Sequence, residues 1–165
     1  MTTQRELPST PSPARAGEGR GEDSAPSPAR AGEGRGEGSC LCGAIRYRFA
    51  LPPLWVAHCH CSLCRRAQGA GFVTWIGTDG ARFELLGDGS TLSMYHSTPE
   101  ATRSFCGRCG TPLFFESPRW PGQVHVTLAT VEPATAATLA PQGHAHWSDR
   151  VPWIGEIHDG LPRKD

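Results

Sequence analysis

His58-Cys59-His60-Cys61-Ser62-Leu63-Cys64-Arg65-Arg66 sets three thiols within six residues near the middle of a 165-residue chain. Two further groups flank it, Cys40-Leu41-Cys42 upstream and Cys106-Gly107-Arg108-Cys109 downstream, so the 7 cysteines fall in sets of two, three and two. These spacings suit metal ligation. A closed tetrahedral zinc site needs four ligands, which Cys40, Cys42, Cys106 and Cys109 supply. A catalytic zinc keeps three protein ligands and an open position, which matches Cys59, Cys61 and Cys64. The expectation is therefore two Zn2+ per chain, one structural and one catalytic. Three thiolates leave the second ion room for a water or an incoming thiol, which would lose its proton there. The other arrangement of the triplet is a Cys3His site closed by His58 or His60.

Outward from the cluster, apolar residues alternate instead of recurring at helical spacing. Ile45, Tyr47 and Phe49 face one way and Arg46 and Arg48 the other, the mark of a half-buried strand. After the Pro52-Pro53 turn a second strand runs through Val56 and His58 into the metal cluster. Further strands are expected over 71–76, 81–86, 91–95, 102–105, 113–116 and 123–128. Helical turns are expected only over 62–68 and 132–139, where Pro133 fits a first turn. The fold class is all-β.

The first 37 residues differ in kind. PSPARAGEGRGE at 11–22 recurs at 26–37 without a large apolar residue, so this stretch reads as a solvated, disordered repeat tail ahead of a zinc domain over 38–165. Formal charge is zero, with 16 basic and 16 acidic residues, and neither part is a polycation for nucleic acid or a membrane surface. Neither a membrane-spanning apolar run nor a signal-peptide h-region is seen, so a cytoplasmic, reducing setting is expected. There, clustered cysteines serve metals or catalysis more than disulfides.

With these residues in view, the sequence resembles the CENP-V/GFA family, named for glutathione-dependent formaldehyde-activating enzyme. The likeness covers about residues 38–162. It runs through Gly38-Ser39-Cys40-Leu41-Cys42-Gly43, the central cluster, Arg103-Ser104-Phe105-Cys106-Gly107-Arg108-Cys109-Gly110, Trp147-Ser148-Asp149-Arg150-Val151-Pro152-Trp153, and Asp159-Gly160-Leu161-Pro162. The resemblance implies a β-tent of small antiparallel sheets around zinc. It also implies a carbon-sulfur lyase chemistry in which glutathione and formaldehyde give S-hydroxymethylglutathione, with Cys59, Cys61 and Cys64 at the active metal. Relatives carry large aromatics ahead of the terminal Trp motif where this chain has His144-Ala145-His146-Trp147, so a pocket wall differs.

Candidates to bind the thiol substrate are Arg65 and Arg66, which suit a carboxylate, together with His144 and Trp147. His58, His60, His96 and His144 are candidate proton donors, and Trp75, Trp147 and Trp153 candidate pocket walls. The competing readings are a non-catalytic glutathione or thiol carrier, a zinc-stabilised protein-interaction module, and a methionine sulfoxide reductase. The last needs a nucleophilic cysteine late in the chain, and none follows Cys109.

Overall fold

Glycine-rich sequence at the edge of the repeat forms the first strand. The computed structural model describes residues 34–155 and 157–165, so the repeat tail expected at 1–37 lies outside the described residues up to 33. Its end does not behave as a solvated arm, because β1 spans Arg35–Ser39. The reason is close approach: a Cβ on Gly36 would overlap the Phe49 ring, and one on Gly38 the Tyr47 ring. Bare backbone is what lets this strand lie on two aromatic faces.

The alternation around Tyr47 is realised. In β2 (Arg46–Ala50) Tyr47 and Phe49 are buried, while Arg46 and Arg48 pair outward with Glu37 and Glu84. β3 (Trp55–Cys59) leads into helix α1 (Ser62–Gln68), whose bounds match the expectation. β4 (Val73–Asp79), β5 (Phe83–Leu86), β6 (Leu92–Thr98), β7 (Ala101–Cys106), β8 (Pro112–Glu116) and β9 (Gln123–Thr127) follow. The second helix, α2, is confined to Pro133–Ala136. Two-residue strands β10 (His144–Ala145) and β11 (Arg163–Lys164) complete the described strands and have too little pattern to read in advance.

The strands make a three-stranded sheet, β1-β2-β5, and an eight-stranded sheet in the order β11-β10-β3-β4-β9-β8-β7-β6. Pairing is antiparallel except where β10 runs parallel to β3 and β11. The expected all-β class is what forms, with two short helices. Tyr47, Phe49, Ile76, Leu113, Phe114 and Val126 build one core from both sheets. Within it Tyr47 meets Phe114 edge-on at 5.0 Å and shares a 2.7 Å hydrogen bond with Thr130. No helix among the described residues is long and apolar enough to cross a membrane.

This topology carries cysteines to two places. The chain leaving β1 meets the β7–β8 turn, so Cys40 and Cys42 reach Cys106 and Cys109. β3 ends on Cys59, and α1 begins at once with Cys61 as its N-cap and Cys64 in its first turn.

Candidate metal centres and adjoining cavity

The sulfurs of Cys40, Cys42, Cys106 and Cys109 all lie within 4.8 Å of one another. Two measured edges are 3.6 Å, Cys40 to Cys42, and 3.9 Å, Cys42 to Cys106. A tetrahedron with Zn–S bonds of about 2.3 Å has edges of about 3.8 Å, so the donor set and its spacing fit zinc. The Ile45 amide donates to Cys40 Sγ at 3.2 Å, and Thr111 Oγ1 sits 3.1 Å from Cys109 Sγ while accepting from the Leu41 amide. Thr111 thereby joins the two knuckles and holds the Cys109 thiol down to about 5. Gly110, at φ 76°, makes the second knuckle's turn and donates to the Cys106 carbonyl.

Cys59, Cys61 and Cys64 form the second group, again with sulfurs within 4.8 Å of one another. The Cys64 amide donates to Cys61 Sγ at 3.3 Å, and Arg103 Nη2 approaches Cys64 Sγ at 3.7 Å. Hydrogen bonds with Cys59 and Cys61, helped by the Arg103 charge, hold the Cys64 thiol far below its ordinary value. The same sharing with Cys61 and Cys64 pushes Cys59 far above it. A cation is what such a cluster calls for. Among the described residues no histidine nitrogen belongs to either sulfur group. His58 Nδ1 bonds Thr74 Oγ1 at 2.8 Å, and His60 Nε2 bonds His144 Nδ1 at 2.9 Å.

Behind the metal loop runs a buried chain. His144 Nε2 lies 2.9 Å from Asp159 Oδ2, and Asp159 is held ionised below the usual carboxylate range, first by the Leu161 amide. An acceptor-only carboxylate requires the proton on His144 Nε2, which leaves His144 Nδ1 to accept from His60 Nε2–H. His60 Nδ1 is then a bare lone pair, buried without a partner. Burial, with His144 beside it, pushes His60 down to about 4, so the ring is neutral. Backbone bonds reinforce the chain: the His60 amide donates to Ala145 O, and the His144 amide to Pro162 O.

A cavity of about 330 Å³ opens over the second cluster, with Cys59, Cys61 and Cys64 in its lining. Trp55, Trp75, Phe115, Trp120 and His125 wall it, and Arg103 reaches in over Phe115, 4.9 Å from the ring centre. The residues expected to bind substrate sit elsewhere. Arg65 donates to the His60 and Asp149 carbonyls at 3.0 and 3.1 Å and clamps the loop. Arg66 lines an adjoining cleft of about 500 Å³ that shares Leu63, Ser97 and Arg103 with this cavity. His144 is the buried link just described, and Trp147 packs edge-on against the His60 and His144 rings with Arg150 and Arg163 over its face. Of the expected wall residues, Trp75 is in the cavity, whereas Trp153 is 77% exposed. His96 bonds Thr102 on the exposed β6–β7 edge.

Sequence reasoning assigned no role to Arg103, Trp55, Phe115, Trp120 or His125. A signal for Arg103 existed in the alternation of β7: Ser104 and Cys106 point to the core, so Arg103 takes the opposite face.

Fold and site together define an all-β protein with two cysteine centres able to hold metal, one of four sulfurs and one of three. The family model described as glutathione-dependent formaldehyde-activating enzyme matches residues 35–149, and the chain belongs to that family. The crystal structure of a Rhodobacter sphaeroides protein superposes with a TM-score of 0.53 over 77% of this chain and 98% of that one, at 22% identity; this likeness concerns the fold alone. A Halomonas elongata protein provisionally named glutathione-dependent formaldehyde-activating enzyme is 36% identical over 109 residues, 58% of this chain and 64% of that one. An uncharacterised lyase of Schizosaccharomyces pombe is 32% identical over 78 residues, 47% of this chain and 55% of that one. The chain thus spans less than two thirds of either relative.

Proposed function

We propose that this chain is a zinc-dependent, carbon-sulfur lyase-type enzyme that makes and breaks the adduct of a thiol and an aldehyde. The family's name gives the pair as glutathione and formaldehyde, whose adduct is S-hydroxymethylglutathione. A reducing, cytoplasmic setting suits its unpaired thiols. The observation that carries the reading is the three-sulfur cluster in the lining of a cavity, with no fourth protein ligand among the described residues.

Cys59, Cys61 and Cys64 would hold the catalytic zinc, and Cys40, Cys42, Cys106 and Cys109 the structural one. When bound, zinc supplies a Lewis acid that favours the thiolate form of an incoming sulfur. Arg103 contributes a fixed positive charge beside Cys64, offsetting three clustered thiolates. The thiolate sulfur attacks the aldehyde carbon; an S–C bond forms as the C=O π pair moves to oxygen. The proton the thiol lost is restored to that oxygen, and His146 and Asp149, exposed residues of the cavity lining, leave a path for solvent to deliver it. The reverse sequence is the lyase direction.

The test is exchange NMR of formaldehyde between free and glutathione-bound pools, comparing zinc-loaded wild type, Cys61→Ser and a blank. Faster exchange with wild type alone supports the assignment. Saturable glutathione binding with exchange no faster than the blank selects a thiol carrier instead.

A further inference from the structure

The walls of the cavity form a continuous aromatic belt. Trp55 meets His125 at 4.7 Å, His125 meets Trp120 at 5.1 Å, and Phe115 lies 6.0 Å from both Trp120 and Trp75. Two of its ring nitrogens are already engaged: Trp55 Nε1 and His125 Nε2 both lie against Gln123 Oε1, at 3.1 and 3.2 Å. Burial pushes His125 down to about 4, so that ring carries no charge at neutral pH. Arg103, the cation over Phe115, is held through Nε to Ser97 Oγ at 3.1 Å and through Nη2 to Cys64, and its Nη1 is the guanidinium nitrogen left without a partner. The belt therefore offers mainly carbon surface, with the Arg103 guanidinium at its edge as the charged donor.

That surface mismatches the smallest substrates. Formaldehyde adds one carbon and one oxygen to the thiol, and so brings no apolar group to the belt. Glutathione brings two carboxylates and an ammonium, and a charge laid against the belt would lose its hydration without return. Exposed Glu100, Arg119 and Asp149 in the same lining provide charged partners for those groups. Cavities of this size with apolar walls and few polar groups enclose organic ligands of several rings or chains.

Resting on the thiol–aldehyde reading above, we infer that the natural aldehyde carries an aryl or arylalkyl substituent, which the Trp55–His125–Trp120–Phe115–Trp75 belt encloses while its carbonyl carbon meets the thiol at the cysteine cluster. The step is unchanged: one S–C bond forms, the π pair goes to oxygen, and the proton returns to that oxygen.

Two measurements on the full, zinc-loaded chain test this. Calorimetric titration with S-methylglutathione and S-benzylglutathione should show the benzyl compound binding about tenfold tighter or better, the scale of added apolar contact in a fitted pocket. Trp120→Ala, at a wall position 37% exposed, should fold normally and shrink that preference. Equal binding of the two compounds overturns the inference. Rates of adduct formation from glutathione should exceed the blank by about tenfold more for phenylacetaldehyde than for formaldehyde. Acceleration of formaldehyde alone overturns the inference and leaves the lyase reading standing, and acceleration of neither overturns both. Greater acceleration of formaldehyde with benzyl mercaptan than of phenylacetaldehyde with glutathione places the apolar group on the thiol and overturns the assignment to the aldehyde.

Discussion

Arg103 and His125 are single side chains whose surroundings decide their chemistry. Arg103 sits 3.7 Å from Cys64 Sγ, beside a cluster whose metal-bound form carries excess negative charge. Arg103→Met should therefore weaken metal binding at the three-cysteine site by about 10–100-fold, with Arg103→Lys recovering part, as read by competition with a chromophoric chelator. Unchanged affinity in the Met variant would remove Arg103 from the site's electrostatics. His125 is buried, and its folded-state value of about 4 lies below the ordinary value of 6.5. Because the unfolded chain binds the extra proton, His125 contributes stability that is present above about pH 6.5 and lost as pH falls toward 4. Urea midpoints between pH 7.5 and 4.5 should fall less steeply for His125→Phe than for wild type, and parallel profiles would contradict this. Neither role is visible in the residue type, since a lone Arg or His in sequence is most often at the surface.

At the scale of elements, strands with side-chain patterns were legible and strands without them were not. Tyr47 and Phe49 announce β2, yet β1 has a glycine at each buried position, Gly36 and Gly38, and so shows no alternation at all. Gly38→Ala should cost about 1–3 kcal/mol in chemical unfolding, because the added methyl meets the Tyr47 ring and the Thr130 carbonyl. A neutral substitution would mean that β1 is not held against that ring. The short parallel strand β10 matters through what it positions: it brings His144 between Asp159 and His60, which fixes both ring tautomers. In Asp159→Ala the fixed pattern should give way to mixed tautomers in long-range 15N–1H spectra. Amide exchange at His60 should quicken as the β10–β3 contact loosens. Retention of the wild-type tautomer pattern would show that the carboxylate does not set it.

For the whole molecule the two cysteine centres predict opposite phenotypes. The four-cysteine site joins the chain after β1 to the β7–β8 turn, and Cys106 is fully buried in the main core. A structural zinc contributes roughly 10–16 kcal/mol in small peptides, against about 5–15 kcal/mol for a domain's net stability. Cys106→Ser should accordingly be insoluble or melt at least about 10 °C lower. Cys61→Ser should stay folded with a nearly unchanged midpoint, bind less zinc than wild type by elemental analysis, and lose adduct exchange. A soluble Cys106→Ser with the wild-type midpoint would contradict the structural assignment.

The sequence by itself determined the cysteine grouping, the all-β class and the span of α1. Metal-ligand spacing and two-residue alternation are local, and both are written in consecutive residues. Only the tertiary structure decided which surfaces face the three-sulfur cluster. Trp55, Trp75, Phe115 and His125 come from four different strands, and Trp120 joins them from the turn between β8 and β9. Strand order in the eight-stranded sheet brings them together, and strand order is a product of long-range pairing that no local pattern encodes.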